Sequence, residues 1–104
     1  MPKEPIVRMT EEERTKDFYN RLREQLENDT TWPTDYLFKF IVPSSLEKIA
    51  EIEAIFDNMN AELQTRDSSK GTYTSISVKV HLDSPDAVIE KYLQVSKVEG
   101  VISL

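Results

Sequence analysis

The stretch Ser68 to Leu82, SSKGTYTSISVKVHL, limits what this chain can fold into more than any other. Thr74, Ile76, Val78, Val80 and Leu82 fall on one side of an extended backbone; Tyr73, Ser75, Ser77, Lys79 and His81 fall on the other. Alternation of this kind, with β-branched residues on the apolar side, predicts a half-buried strand. Asp67-Ser68-Ser69-Lys70-Gly71 precedes it and reads as a tight hairpin turn. Gly71 is one of only two glycines in the chain, which points to a backbone φ that Lys or Ser would adopt at a cost. A strand with a single apolar face needs a second layer to bury it, so the chain must supply a sheet and something to cover one side of it.

The other elements follow in order. Tyr36 to Val42, YLFKFIV, is apolar on both sides apart from Lys39, as expected of a central strand. Pro43 ends it. Ser44 with Glu47 has capping-box spacing and opens a helix to about Asn60, carried by Leu46, Ile49, Ile52, Phe56 and Met59. Ala61 to Arg66 is a short, charged strand suited to a sheet edge, with Ala61, Leu63 and Thr65 on one side. Ser84-Pro85-Asp86 starts a helix that runs to about Val95. Gly100 turns the chain into a last short strand, Val101 to Leu104.

Ahead of this block, Thr10 caps a helix over residues 10–28, with Glu11, Glu12 and Glu13 in its first turn and Phe18, Leu22 and Leu26 as a narrow apolar stripe beside Tyr19. The stripe covers its own domain or docks a second chain. Trp32 is expected to anchor that helix to the sheet. Residues 1–9 read as a disordered lead-in and residues 10–104 as a single domain.

The order β-α-β-β-α-β after the first helix is the split βαβ, ferredoxin-like arrangement: α+β, with a four-stranded antiparallel sheet. Right-handed crossovers place the strands that begin near Tyr36 and Thr72 in the middle. Both later helices then cover the Phe38, Phe40, Ile76, Val78 and Val80 side. The opposite side presents Leu37, Lys39, Ile41, Tyr73, Ser75, Ser77, Lys79 and His81, for which the first helix or another chain is the expected cover.

The inventory of reactive groups is poor. One His and no Cys leave no thiol nucleophile, no Cys-His pair and no His-rich metal set, so no catalytic residue, metal or cofactor is expected. A net charge of −6 disfavours nucleic acid, and Tyr73 alone offers a stacking ring on the open side. No apolar run approaches the ~20 residues of a membrane span, and the opening residues lack a signal-peptide core. No membrane association and a cytoplasmic location are the expectations.

Two polar groupings stand out as candidate ligand- or partner-binding sites. Lys39 and Lys79, beside Ser75 and Tyr73, can form an anion-binding patch, or can pair with first-helix carboxylates such as Asp17 or Glu24. Ser69, Lys70 and Gly71 with Tyr73 can hold an acidic group through backbone N–H donors, or can simply set the hairpin register.

Trp32-Pro33-Thr34 leading into Phe38-Lys39-Phe40, then Ser69-Lys70-Gly71-Thr72-Tyr73-Thr74-Ser75 after a helix, resembles the YbeD-like family of small bacterial proteins of unassigned function. The resemblance extends over about Phe18 to Leu104. It implies a ferredoxin-like fold akin to the ACT regulatory domain and no established activity. ACT domains bind amino acids near the turn from the first strand to the first helix, which reads Val42-Pro43-Ser44-Ser45 in this chain. The leading expectation is a non-enzymatic regulatory or protein-interaction module, working as a homodimer or with a protein partner. The alternative is a small-metabolite sensor for an amino acid or carboxylate, using Lys39, Tyr73 and Lys79.

Overall fold

A computed structural model describes residues 10–104; the expected lead-in, residues 1–9, lies outside the described residues. The elements run α1 (Glu11–Asp29), β1 (Thr34–Pro43), α2 (Leu46–Ile55), β2 (Glu62–Asp67), β3 (Tyr73–Leu82), α3 (Pro85–Val95) and β4 (Ile102–Ser103). The four strands form one antiparallel sheet in the order β2-β3-β1-β4, so β1 and β3 are central. This is the α+β ferredoxin-like arrangement expected from the strand and helix order.

The β1–β3 pairing extends from Thr34 opposite Leu82 to Pro43 opposite Tyr73. It sets Phe38 against Val78 and Phe40 against Ile76 on one side, and Leu37 against Lys79 and Lys39 against Ser77 on the other. The first set is fully buried under α2 and α3, joined by Ile52, Phe56, Val88 and Val95. Phe38 is the hub of its aromatics, with Phe40, Phe56, Tyr36 and Tyr92 all within 5.8 Å of it between ring centroids. Burial pushes the Tyr92 phenol well above its usual 10.0, and its 2.9 Å hydrogen bond to the Tyr36 hydroxyl adds to the shift.

Local signals explain the helix starts. The Thr10 hydroxyl accepts from the Glu13 N–H, and Ser84 accepts from the Ala87 N–H with Pro85 at the first helical position. α2 differs from expectation by one residue: its cap is Ser45, which accepts from the Lys48 N–H, and not Ser44. The Ser44 hydroxyl is committed elsewhere, 2.8 Å from Thr74 Oγ1. α2 also ends at Ile55, short of Asn60, because Asn58 and Asn60 both have positive φ and turn the chain toward β2. No basic residue lies in its last turn, and Lys91 of α3 supplies the cation, donating to the Ile55 carbonyl at 2.8 Å.

The first helix corrects one expectation. α1 lies against α3, not across the open side of the sheet. Its Tyr19, Leu22 and Leu26 pack on the edge of the core, Arg23 pairs with Asp86 at the start of α3, and the Trp32 indole N–H donates to the Leu26 carbonyl at 3.0 Å. Asp17 pairs with Arg21 of its own helix. The carboxylates of α1 therefore do not neutralise Lys39 and Lys79.

Candidate functional site

The hairpin fixes which β2 and β3 residues reach the open face. Gly71 donates its N–H to the Ser68 carbonyl at 2.9 Å, Ser68 donates its own N–H to the Tyr73 carbonyl at 2.8 Å, and the Ser68 hydroxyl accepts from the Tyr73 N–H at 3.1 Å. Gly71 has a φ of +71° with nothing near the position a Cβ would take, so its requirement is conformational and not spatial. Just inside the turn, the buried Thr74 hydroxyl donates to Asp67 Oδ1 at 2.9 Å. Its only proton is thus spent on a carboxylate that accepts, so Ser44 is the donor in the Ser44–Thr74 contact. These bonds lock Asp67 opposite Thr74, and the register then puts Arg66 opposite Ser75, Gln64 opposite Ser77 and Glu62 opposite Lys79.

On the far side of β1, β4 brings Ile102 opposite Ile41, and Leu104 donates its N–H to the Lys39 carbonyl at 2.9 Å. The open face therefore has rows that cross all four strands. One row is Gln64, Ser77, Lys39 and Leu104; the next is Arg66, Ser75, Ile41 and Ile102. Four large apolar side chains stand out to solvent here: Leu37 at 52% exposure, Tyr73 at 47%, Ile102 at 53% and Leu104 at 68%.

The predicted site residues divide accordingly. Lys39, Tyr73, Ser75 and Lys79 share the open face. Lys39 and Lys79 lie in different rows: Lys79 sits opposite Glu62 and Leu37, while Lys39 sits opposite Ser77. Ser69 borders a cavity of about 420 Å³ with Ile41, Arg66, Tyr73 and Ser75. Lys70 and Gly71 are exposed at the turn and border neither that cavity nor the one described next.

A second cavity, about 480 Å³, lies between Lys39 on β1 and Arg66 on β2, floored by Ser75 and Ser77 and bordered by Gln64 and Leu104. Arg66, Gln64, Ile102 and Leu104, with Glu62 and Asp35, are the open-face residues that sequence reasoning missed. The alternation of β2 hinted at the first two, since Ala61, Leu63 and Thr65 oppose them. His81, at the other end of β3, faces Asp35 across the strand pair with Nδ1 2.9 Å from Oδ1. Among the described residues no group of three or more His, Asp or Glu is placed to hold a metal ion, and no helix is long and apolar enough to cross a membrane.

Comparison with known proteins gives two likenesses. The ACT domain of the GTP pyrophosphokinase of Chlorobium tepidum is similar over 68% of this chain and 100% of that domain, with 14% sequence identity and a TM-score of 0.48. No curated protein matches the sequence. A family model described as "Protein of unknown function (DUF493)" matches residues 27–104. That span takes in all four strands and every open-face residue named above, and the chain belongs to this family, DUF493.

Proposed function

We propose that this protein is a non-enzymatic regulatory or protein-interaction module, and that the open face of its sheet is where it docks a partner. The observation that carries this reading is the group of four exposed large apolar side chains, Leu37, Tyr73, Ile102 and Leu104, on a face that no helix of the described residues covers. Scattered exposed apolar residues are ordinary; several together on one face mark a contact surface. β4 pairs Phe40 and Ile41 of β1 by register and adds the Leu104 bond to Lys39, so among the described residues the rest of that edge of β1 has no strand partner.

A photo-crosslinking residue at Leu37, with a control at Glu90 on the exposed side of α3, tests the reading in cells. Adducts of defined mass are expected from Leu37 and not from Glu90, and are lost when Tyr73 and Ile102 are changed to Ser. Equal labelling at the two positions, or none at Leu37, would count against a docking face. The second reading, a small-metabolite sensor, rests on the cavity beside Lys39 on the same face.

A further inference from the structure

The open face is cationic on a chain whose net charge is −6. Lys39, Arg66 and Lys79 all point to it. Among the described residues the ion pairs are Arg21–Asp17 and Arg23–Asp86, and His81 is hydrogen-bonded to Asp35; none of these involves those three cations. Of the two side-chain carboxylates on the face, Asp35 is held by His81, and Glu62 lies opposite Lys79, away from Lys39.

Lys39 and Arg66 stand two strands apart and one two-residue step along, about 12 Å between backbones for ordinary sheet spacings. Their long side chains can lean toward each other over the same ground, above Ser75 and Ser77, and that ground is the 480 Å³ cavity. The Ser75 hydroxyl donates to the Arg66 carbonyl at 3.3 Å, which leaves its lone pairs turned to its surroundings and ties it to the backbone of the cation it adjoins. Guanidinium forks match carboxylates in two-point geometry, and an ammonium adds a point charge. The border of the cavity is partly apolar: Leu104 adjoins it on one side, and Ile41 and Tyr73 border the neighbouring cavity that shares Arg66 and Ser75 with it.

We infer that the slot between Lys39 and Arg66 is a carboxylate-binding site, built for an acid group carried on an apolar body. The inference rests on the open face being a binding face. It also bears on who binds there. Two copies meeting face to face would bring Lys39, Arg66 and Lys79 of each into one buried layer, with only Glu62 and Asp35 of each to offset them. An acidic occupant relieves that charge. The carboxylate can be that of a free organic acid or that of an Asp or Glu side chain flanked by apolar residues, and the two sources are separable by experiment.

The full chain, labelled for amide NMR, is titrated with 3-phenylpropionate and, in parallel, with the blocked peptide acetyl-Leu-Glu-Leu-amide; the uncharged amide counterpart of each is the control. The expected result is saturable shifts at Lys39, Arg66, Ser75 and Ser77 with a Kd of about 1 mM or tighter for one of the acids. The amide controls should bind at least tenfold more weakly. Lys39→Gln and Arg66→Gln should each weaken the acid roughly tenfold without moving the thermal midpoint, since both side chains are exposed. Tighter binding of the free acid assigns a small-molecule source, and tighter binding of the peptide a protein source; either supports the slot. Equal binding of acid and amide, shifts centred elsewhere, or no saturation by ~20 mM would overturn it. If Leu37 crosslinks form but neither acid binds, the docking face stands and the slot falls. If the acids bind but no partner crosslinks, the slot stands and the partner reading falls.

Discussion

β1 and β3 pass through two environments at once. On the helix side Phe38, Phe40, Ile76 and Val78 are 0% exposed. One residue along the same strand, on the other side, Leu37 is 52% exposed and Lys39 and Lys79 are open to solvent. The backbone hydrogen bonds are shared, so the contrast is one of side-chain burial alone. It teaches that a single covered face is enough to hold this sheet. Among the described residues, those of the other face do not pack against a helix, and Leu37 stays exposed there although the next residue along, Phe38, is buried.

The largest way to break that contrast is a pair of truncations. Phe38→Ala removes the hub of the aromatic cluster and should cost about 3–5 kcal/mol in urea unfolding. Leu37→Ala, its neighbour, should stay within about 0.5 kcal/mol. Comparable losses from the two would mean that the open face is packed after all.

A smaller effect is expected for the hydroxyls of β3. Thr74→Val removes the buried hydroxyl that joins Asp67 to Ser44, both of which are exposed and regain water, and should cost about 0.5–1.5 kcal/mol. Ser77→Ala, on the other side of the strand, should be near neutral for stability, and its effect belongs to ligand titrations.

The smallest effect is a pH dependence that only the covered face should show. The Tyr92 phenol stays protonated in the folded state above its ordinary value of 10.0, while the unfolded chain releases that proton. The native state then binds more protons than the unfolded state, so stability is complete below about pH 10 and falls as pH rises beyond it. Urea midpoints taken between pH 8 and 11 should fall less steeply in Tyr92→Phe than in the parent; an unchanged slope would show that Tyr92 does not contribute.

Much of the fold could be read from short-range patterns. The alternation from Thr74 to Leu82, the Thr10 and Ser84 caps and the two-sided apolar run of β1 are each decided within a few residues, and the structure has them where those patterns point. Two things depended on contacts between distant residues. The choice of Ser45 over Ser44 as the α2 cap turns on a hydroxyl reaching Thr74 on another strand, and both serines satisfy the local rule. The placement of α1 turns on Trp32 reaching Leu26 and Arg23 reaching Asp86; the stripe of Phe18, Leu22 and Leu26 fits a sheet or a helix equally well. Phe18 in fact remains 61% exposed. The candidate site was legible on β1 and β3, whose periodicity is strong. It was not legible on β2 and β4, because the side of Arg66 and Leu104 follows from register with other strands.

The register of the two central strands also has a consequence in time. β3 follows β1 by 30 positions at the near end, Pro43 to Tyr73, and by 48 at the far end, Thr34 to Leu82. At ordinary rates of synthesis, about 5–20 residues per second, the finished β1 waits roughly 1.5 to 10 s for its partner to be made. β2 meets β3 across a short turn and hardly waits at all. During that interval the nascent chain presents Tyr36 to Val42, apolar on both sides and unpaired on both edges, to whatever is nearby. Lys39 is the one charge within that segment. A charge inside an apolar strand opposes the pairing of one unfinished chain with the next, a demand on position 39 separate from anything the finished sheet does.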